Sequence, residues 1–320
     1  MTHDDRDWEQ TQANLKGHFL QSTAWANFQS AMGREVVRAA GKGWSYQGFV
    51  MQSHGISYLY CPYGPTLAPG ADFDDVMASW REVGKSIECD FVRFEPVGAV
   101  TEELLAESGA AKVKDFQAKD TLLLDLTKSE GELRAELSAS HRNTINAAAR
   151  KGLSFREGTV QRDGERFLEL MRGVAERRGF RSHPEGYFQD MMRILEPSNH
   201  LKLYVAEHEG TVVAAALIFD YAGVRYYAHS GSDPAAKSLR VMAPFVWYLA
   251  MEAKKAGAHE FDLWGVAPDG ASATHPWAGF TEFKRSFGGI DKAYLGTWEL
   301  PLRTGRYLVY SAAKKLRQLL

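Results

Sequence analysis

Trp25, Phe28 and Met32 stand at i, i+3 and i+7 behind Ser22, with Gly33 following. That spacing predicts a short amphipathic helix, capped by the serine hydroxyl and stopped by the glycine. Downstream the period shortens. Segments 35–40, 44–52 and 56–61 predict three strands separated by glycine-bearing turns, until Pro62-Tyr63-Gly64-Pro65 breaks the run. The pattern then predicts a helix over 72–86 and strands over 91–94 and 120–126, so the first half is α/β. Between 128 and 152, Leu133, Leu137, His141 and Ile145 recur at four-residue intervals, and Arg150-Lys151-Gly152 suits a helix C-terminus. One helix is predicted there, with a domain junction at its end.

The second half repeats the order. Helices are predicted over 162–178 and 184–195, strands over 201–207, 212–221 and 224–229, then a helix over 244–256 and a strand over 260–263. Helix, meander, helix, strand, occurring twice without obvious identity, indicates a duplicated fold rather than a solenoid, whose period would be about 20 to 50 residues. Strand alternation puts Tyr227 and His229 on one face, where they line a cleft or pack in the core. Tyr63, in a turn bracketed by prolines, is expected to be exposed.

Composition sharpens this picture. The 320 residues are 45% hydrophobic and 24% charged, which suits a folded chain of two domains and excludes disordered or collagenous classes. Thirty-eight Lys and Arg against 40 Asp and Glu leave a net charge of −2, which excludes a globally basic binder, so an anionic partner must meet a local basic face. From Arg134 to Arg181 eleven cations stand against six acids, a surplus that suits an RNA or phosphate footprint or a solvated helix face. Cys61 and Cys89 are too few for a disulfide scaffold and lack zinc-ligand spacing, as expected in a reducing compartment. Residues 1–14 are polar with no signal-like apolar core, and the longest apolar run, 212–219, is far short of a span, so a cytoplasmic protein is expected. Near the C-terminus, Arg303, Arg306, Lys314, Lys315 and Arg317 alternate with Leu302, Leu308, Leu316 and Leu319, a helix that either closes a domain or touches anionic lipid.

The densest chemistry lies in 275–289. Trp277, Phe280, Phe283 and Phe287 recur at helical spacing beside Lys284 and Arg285. Either the two cations face solvent on an amphipathic helix, or an ammonium lies beside apolar walls, where reduced dielectric makes it a strong stabiliser of a developing oxyanion.

Trp25-Ala26-Asn27-Phe28-Gln29, the stretch from Tyr58 to Pro65, Arg93-Phe94-Glu95-Pro96, His141-Arg142-Asn143, Ala206-Glu207, Trp264-Gly265, and above all Phe283-Lys284 with Phe287-Gly288-Gly289, occur in order over most of the chain. This ordered set resembles the Fem family (FemABX) of peptidoglycan-bridge aminoacyltransferases, and the absence of a charged heptad stretch makes it similar to the compact members without a coiled-coil arm. The resemblance implies two tandem GNAT-like domains of α/β (α+β) class, with mixed sheets flanked by helices. The first comprises 1–148 with 298–320 returning to it, the second 149–297. It also implies transfer of an amino acid from aminoacyl-tRNA to a stem-peptide amine of lipid II or UDP-MurNAc-pentapeptide, with no metal or redox cofactor.

By the same resemblance Lys284 stabilises charge and Phe283 shapes the acyl pocket. Glu95 accepts a proton or orients the stem peptide, unless it is a strand-end ion pair with Arg93. Gln29 and His183, the latter just before Tyr187, stand where a relative using the nucleotide-linked precursor has diphosphate-binding cations. Neither is a permanent cation, so Arg181 takes over or the precursor is lipid-linked. The remaining substrate-binding candidates are Tyr63, Arg93, Tyr187, Tyr227 and His229. A monomer with peripheral contact at the inner membrane face is expected. Two alternatives remain open: a CoA-dependent N-acetyltransferase, although 237–243 lacks the glycines of a pyrophosphate loop, and a non-catalytic RNA- or precursor-binding protein.

Overall fold

The structure, a computed structural model, describes residues 3–53, 55–178 and 183–319. The chain forms two compact units, Met1–Lys119 with Tyr294–Leu320, and Asp120–Ala293. The first unit therefore ends well before residue 148 and takes the chain back at 294 rather than 298. The reason is a strand and two helices, beginning at Asp120, that build into the second sheet.

The first unit opens with a helix that hydrophobic periodicity does not announce. Helix α1 (His3–Leu15) turns Trp8 and Gln12 inward. The Trp8 indole donates to the Gln21 carbonyl at 2.7 Å, and Gln12 Nε2 donates to Ser45 Oγ at 2.9 Å. Helix α2 (Thr23–Ala31) is capped as expected, Ser22 Oγ accepting from Trp25 N at 3.1 Å. Strands β1 (Val36–Gly41), β2 (Trp44–Ser53) and β3 (Ile56–Cys61) form the predicted meander, and β4 (Thr66–Leu67) follows. Helix α3 (Phe73–Ser86) buries Val76, Met77 and Trp80 against the sheet. Strand β5 (Phe91–Phe94), β6 (Val97–Gly98), α4 (Glu102–Glu107) and β7 (Ala111–Lys112) complete this part.

The second unit starts with β8 (Asp120–Asp125). The single helix predicted over 128–152 is two: α5 (Glu130–Glu136) and α6 (Ala139–Ala147), followed by a 3-10 turn at Ala149–Lys151. Leu137 keeps the apolar period but its backbone is extended, at ψ 139°, and Ser138 then caps α6 by accepting from His141 N at 3.2 Å. Next come β9 (Leu153–Glu157), α7 (Val160–Arg178), α8 (Glu185–Leu195), β10 (Leu201–His208), β11 (Thr211–Tyr221) and β12 (Val224–Ser232). Helix α9 (Met242–Lys255), β13 (Glu260–Gly265), α10 (Ala278–Arg285) and β14 (Ile290–Ala293) finish the unit. Strand β15 (Trp298–Pro301) and α11 (Thr304–Leu319) return to the first.

The sheets run β6-β4-β2-β3-β5-β15-β7, with β1 also on β2, and β14-β8-β13-β12-β11-β10-β9. In each, an antiparallel meander leads through one helix to a strand parallel to its last member: β3 to β5 through α3, and β12 to β13 through α9. The far edge of that strand then takes an antiparallel partner from a distant part of the chain, β15 in one sheet and β8 in the other. This repeat is the duplication that the element order predicted.

Candidate active site

In the second unit, α10 carries the Phe-Lys pair. Thr281 Oγ1 accepts from Ala267 N at 2.7 Å and ties the helix to the chain leaving β13. Lys284 is half-buried: its Nζ donates to the Gly265 carbonyl at 2.6 Å and lies 5.0 Å from the centre of the Phe280 ring. Phe283 turns toward the core, 5.1 Å from the His141 ring and 5.4 Å from Phe287. Arg285 bonds Asp291 at 3.2 Å, so neither cation stands free in solvent. The glycines after Phe287 make a close turn. A Cβ at Gly289, where φ is +87°, would sit 2.5 Å from the Leu123 carbonyl oxygen. A cavity of about 410 Å³ adjoins α10 on the face of Thr281, Glu282 and Arg285 rather than that of Lys284.

The strand that holds Lys284 ends irregularly. Parallel pairing of β12 with β13 stops at Tyr226 and Asp262, and the β13–β8 register shifts between Asp262 and Gly265. Trp264 there adopts φ +59°, a left-handed backbone rare for a bulky side chain. Asp262, only 4% exposed, accepts from Trp264 N at 2.7 Å and from the Thr121 hydroxyl, and burial pushes its carboxyl up to about 6. Sequence reading brought in Trp264-Gly265 but missed Asp262, whose only signal was a lone acid inside an apolar strand.

Tyr227 and His229 do not share a face. Tyr227 pairs with Ile218 and His229 with Leu217, so Ala228 is the extra residue of a β-bulge that shifts the alternation. Tyr227 joins the core beneath α9, with Phe261, and burial pushes its hydroxyl up to about 12. His229 lies on the opposite side, 5.0 Å from Phe188 of α8, where burial first and the neighbouring His183 second hold its imidazole down to about 4. His183 stacks on Tyr187 at 4.2 Å, so the structure gathers His183, Tyr187 and His229 around Phe188. Arg181 lies outside the described residues. Of the basic surplus, Arg156, Arg162 and Arg166 are paired internally, with Asp163, Glu207, Glu169 and Asp233.

In the first unit, Glu95 and Tyr63 come together. Glu95 is 3% exposed, and its carboxylate accepts from Thr297 Oγ1 at 2.8 Å, Gln117 N at 3.0 Å, the Tyr60 hydroxyl at 3.1 Å and Tyr63 N at 3.3 Å. Burial raises its pKa while these donors oppose the rise. So supplied, it fastens the Pro62–Pro65 turn. Tyr63 is buried, not exposed: His18 stacks on it at 4.0 Å, Tyr294 meets it edge-on at 5.1 Å, and its hydroxyl donates to the Ala118 carbonyl at 2.8 Å. Arg93 does not pair with Glu95. It is 1% exposed, forks onto Glu299 through Nε at 2.9 Å and through Nη2, and lies 4.0 Å over the Phe116 ring, enclosed rather than open to a ligand. Gln29 is buried in α2, not solvated, and its carbonyl accepts from Arg34, a guanidinium that sequence reading left out.

Among the described residues no group of three or more His, Cys, Asp or Glu is placed to hold a metal ion, and no helix is long and apolar enough to cross a membrane. On α11, Tyr307 and Tyr310 pack against Phe91, which closes the first unit, while Leu308 and Val309 point outward.

These features define a tandem GNAT fold. Residues 139–285 match the acetyltransferase (GNAT) domain family. A tandem GNAT protein from the clavulanic acid biosynthesis pathway, 11% identical, aligns over 94% of this chain and 97% of its own at a TM-score of 0.53. Within that class the likeness is to Fem proteins. The crystal structure of FemX superposes with a TM-score of 0.84 over 97% of this chain and 98% of its own, at 15% identity. The UDP-N-acetylmuramoylpentapeptide-lysine N(6)-alanyltransferase of Weissella viridescens is 24% identical over 195 residues, 55% of this chain and 56% of that protein. The chain thus spans about half the length of the curated relative it matches. The resemblance read from the ordered motifs is shared by sequence and by fold.

Proposed function

We propose that the protein is an aminoacyltransferase that moves an amino acid from aminoacyl-tRNA to a side-chain amine of the peptidoglycan stem peptide, at the cytoplasmic side of the membrane. The observation that carries this is the seating of Lys284: an ammonium held by the Gly265 carbonyl and the Phe280 ring on a helix of a GNAT-type unit. The reaction is aminolysis of an ester. The acceptor nitrogen attacks the aminoacyl carbonyl, the carbon–nitrogen bond forms, the ribose oxygen leaves, and the amine gives up a proton. A fixed cation stabilises the tetrahedral oxyanion, a contact worth about a hundredfold or more in rate. No resident cofactor is needed, since the charged tRNA is itself the co-substrate. Glu95, enclosed by its donors, serves in this reading to hold the turn that carries Tyr63.

The relative from Weissella viridescens is named for alanyl transfer to the lysine of the UDP-linked pentapeptide. For this chain either precursor form, lipid-linked or UDP-linked, is proposed as acceptor, since both present the same stem peptide.

The acetyltransferase reading draws on the family match of residues 139–285. Against it, the chain entering α9 is a 3-10 turn, Pro234–Leu239, with no glycine, and Lys151 Nζ donates to its Leu239 carbonyl at 3.1 Å. The test is to incubate the protein with a pool of charged tRNAs and both precursor forms, with acetyl-CoA in a parallel reaction, and weigh the stem peptide. A gain of one amino-acid residue is expected. An acetyl gain, or none, contradicts the proposal.

A further inference from the structure

Lys284 is aimed by the Gly265 carbonyl, and that carbonyl is aimed in turn by a residue that touches neither. Just before Gly265 the chain passes through the left-handed conformation of Trp264, at φ +59°. A bulky L-residue avoids this region because Cβ crowds the following carbonyl, so something must hold it there. Asp262 does so. Its Oδ1 accepts Trp264 N at 2.7 Å, folding the chain back two residues on in the manner of an Asx turn. The same oxygen accepts the Thr121 hydroxyl from β8, which fixes the carboxylate to the neighbouring strand. The irregular register between Asp262 and Gly265 is the trace of this pinned turn; beyond it Gly265 resumes pairing opposite Thr121, and its carbonyl accepts from Lys284 of α10. The rings of Tyr226 and Phe219 close over Trp264 at 5.8 and 6.5 Å.

We infer that Asp262 is a positioning residue for Lys284, acting through the Trp264 turn and the Gly265 carbonyl. The inference rests on the catalytic role proposed for Lys284. Because both bonds fall on one oxygen, the position needs an acceptor there and not a negative charge. An amide carbonyl serves as well, whereas a methyl group does not.

The test reads Lys284 directly and needs no substrate. The whole protein and its Asp262→Asn and Asp262→Ala variants are treated with a limiting amine-selective reagent, and labelling of Lys284 is quantified by peptide mass spectrometry. Asp262→Ala is expected to label Lys284 several-fold faster, its ammonium released from the carbonyl, while Asp262→Asn labels as the wild type does. In the transfer reaction Asp262→Ala is expected to lower kcat by about ten- to a hundredfold, as small misplacements do, with KM for the acceptor unchanged. Equal labelling in Asp262→Ala and the wild type, or Asp262→Asn behaving like Asp262→Ala, overturns the inference. Should Asp262→Ala not fold, Asp262→Ser, too short to reach both donors, carries the same expectation. If the wild type transfers nothing, the functional proposal fails while the labelling still decides this one.

Discussion

Burial at single residues followed contacts that span the chain, and these set what each candidate can do. Tyr63 sits in a turn between prolines, yet His18 and Tyr294, distant in sequence on either side, enclose it. No local pattern carries that information. The helix that carries Lys284 was legible because its aromatic residues recur at helical spacing, while a role for the ammonium itself was implied only by the family resemblance. Its carbonyl partner was not, because the left-handed turn at Trp264 breaks the strand periodicity from which such a position is read. His229 shows the same limit with a measurable consequence. Its imidazole titrates at about 4 in the folded protein against an ordinary 6.5. Between these values the unfolded chain binds a proton that the native one does not, so stability rises with pH through the window and falls as pH drops from 6.5 toward 4. This contribution is on the order of 3 kcal/mol. Urea unfolding at pH 7 and pH 4.5 is expected to show a smaller loss of stability in His229→Asn than in the wild type. An equal loss would mean the ring is not held neutral by its aromatic neighbours.

At the scale of elements, apolar periodicity located α2, α3, α9 and the meanders, where side chains pack on one continuous face. It failed in three physically distinct ways. Helix α1 is anchored by an indole N–H and a glutamine, groups that no hydrophobic pattern counts. The break between α5 and α6 leaves the apolar spacing intact, since Leu137 and His141 face the same core from either side of it. The bulge at Ala228 inserts one residue and reverses every inference drawn from alternation beyond it. The Phe-Gly-Gly turn after α10 was read from resemblance, and the structure supplies its cause: Gly289 combines a positive φ with a carbonyl oxygen 2.5 Å from where a Cβ would lie. Gly289→Ala is therefore expected to destabilise the protein by about 2 kcal/mol or more, measured by thermal or urea unfolding. A melting temperature unchanged from the wild type would contradict this account of the turn.

For the whole molecule, the repeat of helix, meander, helix and strand announced a duplication, and the two sheets share that order down to the parallel pairing of the last meander strand with the strand after the helix. The boundary was misplaced because a long helical pattern looked like a junction. In the structure the division falls at Lys119 and Asp120, before β8, whose leucines Leu122 and Leu124 belong to the second core. Which chain segment completes which sheet depends on pairing between distant strands, β15 with β5 and β8 with β13, and strand pairing of that range leaves no local signature. The functional proposal stands at this scale too, since it joins the fold to one cation. Its most direct test is transfer of an amino acid from charged tRNA to the stem-peptide amine, followed by mass in single turnovers of the wild type and of Lys284→Met, which keeps the side chain's length without its charge. A gain of one amino-acid residue is expected in the wild type and a rate at least about a hundredfold lower in the variant, with the variant's melting temperature close to normal. Equal rates in the two proteins, or a wild type that adds nothing, would contradict it.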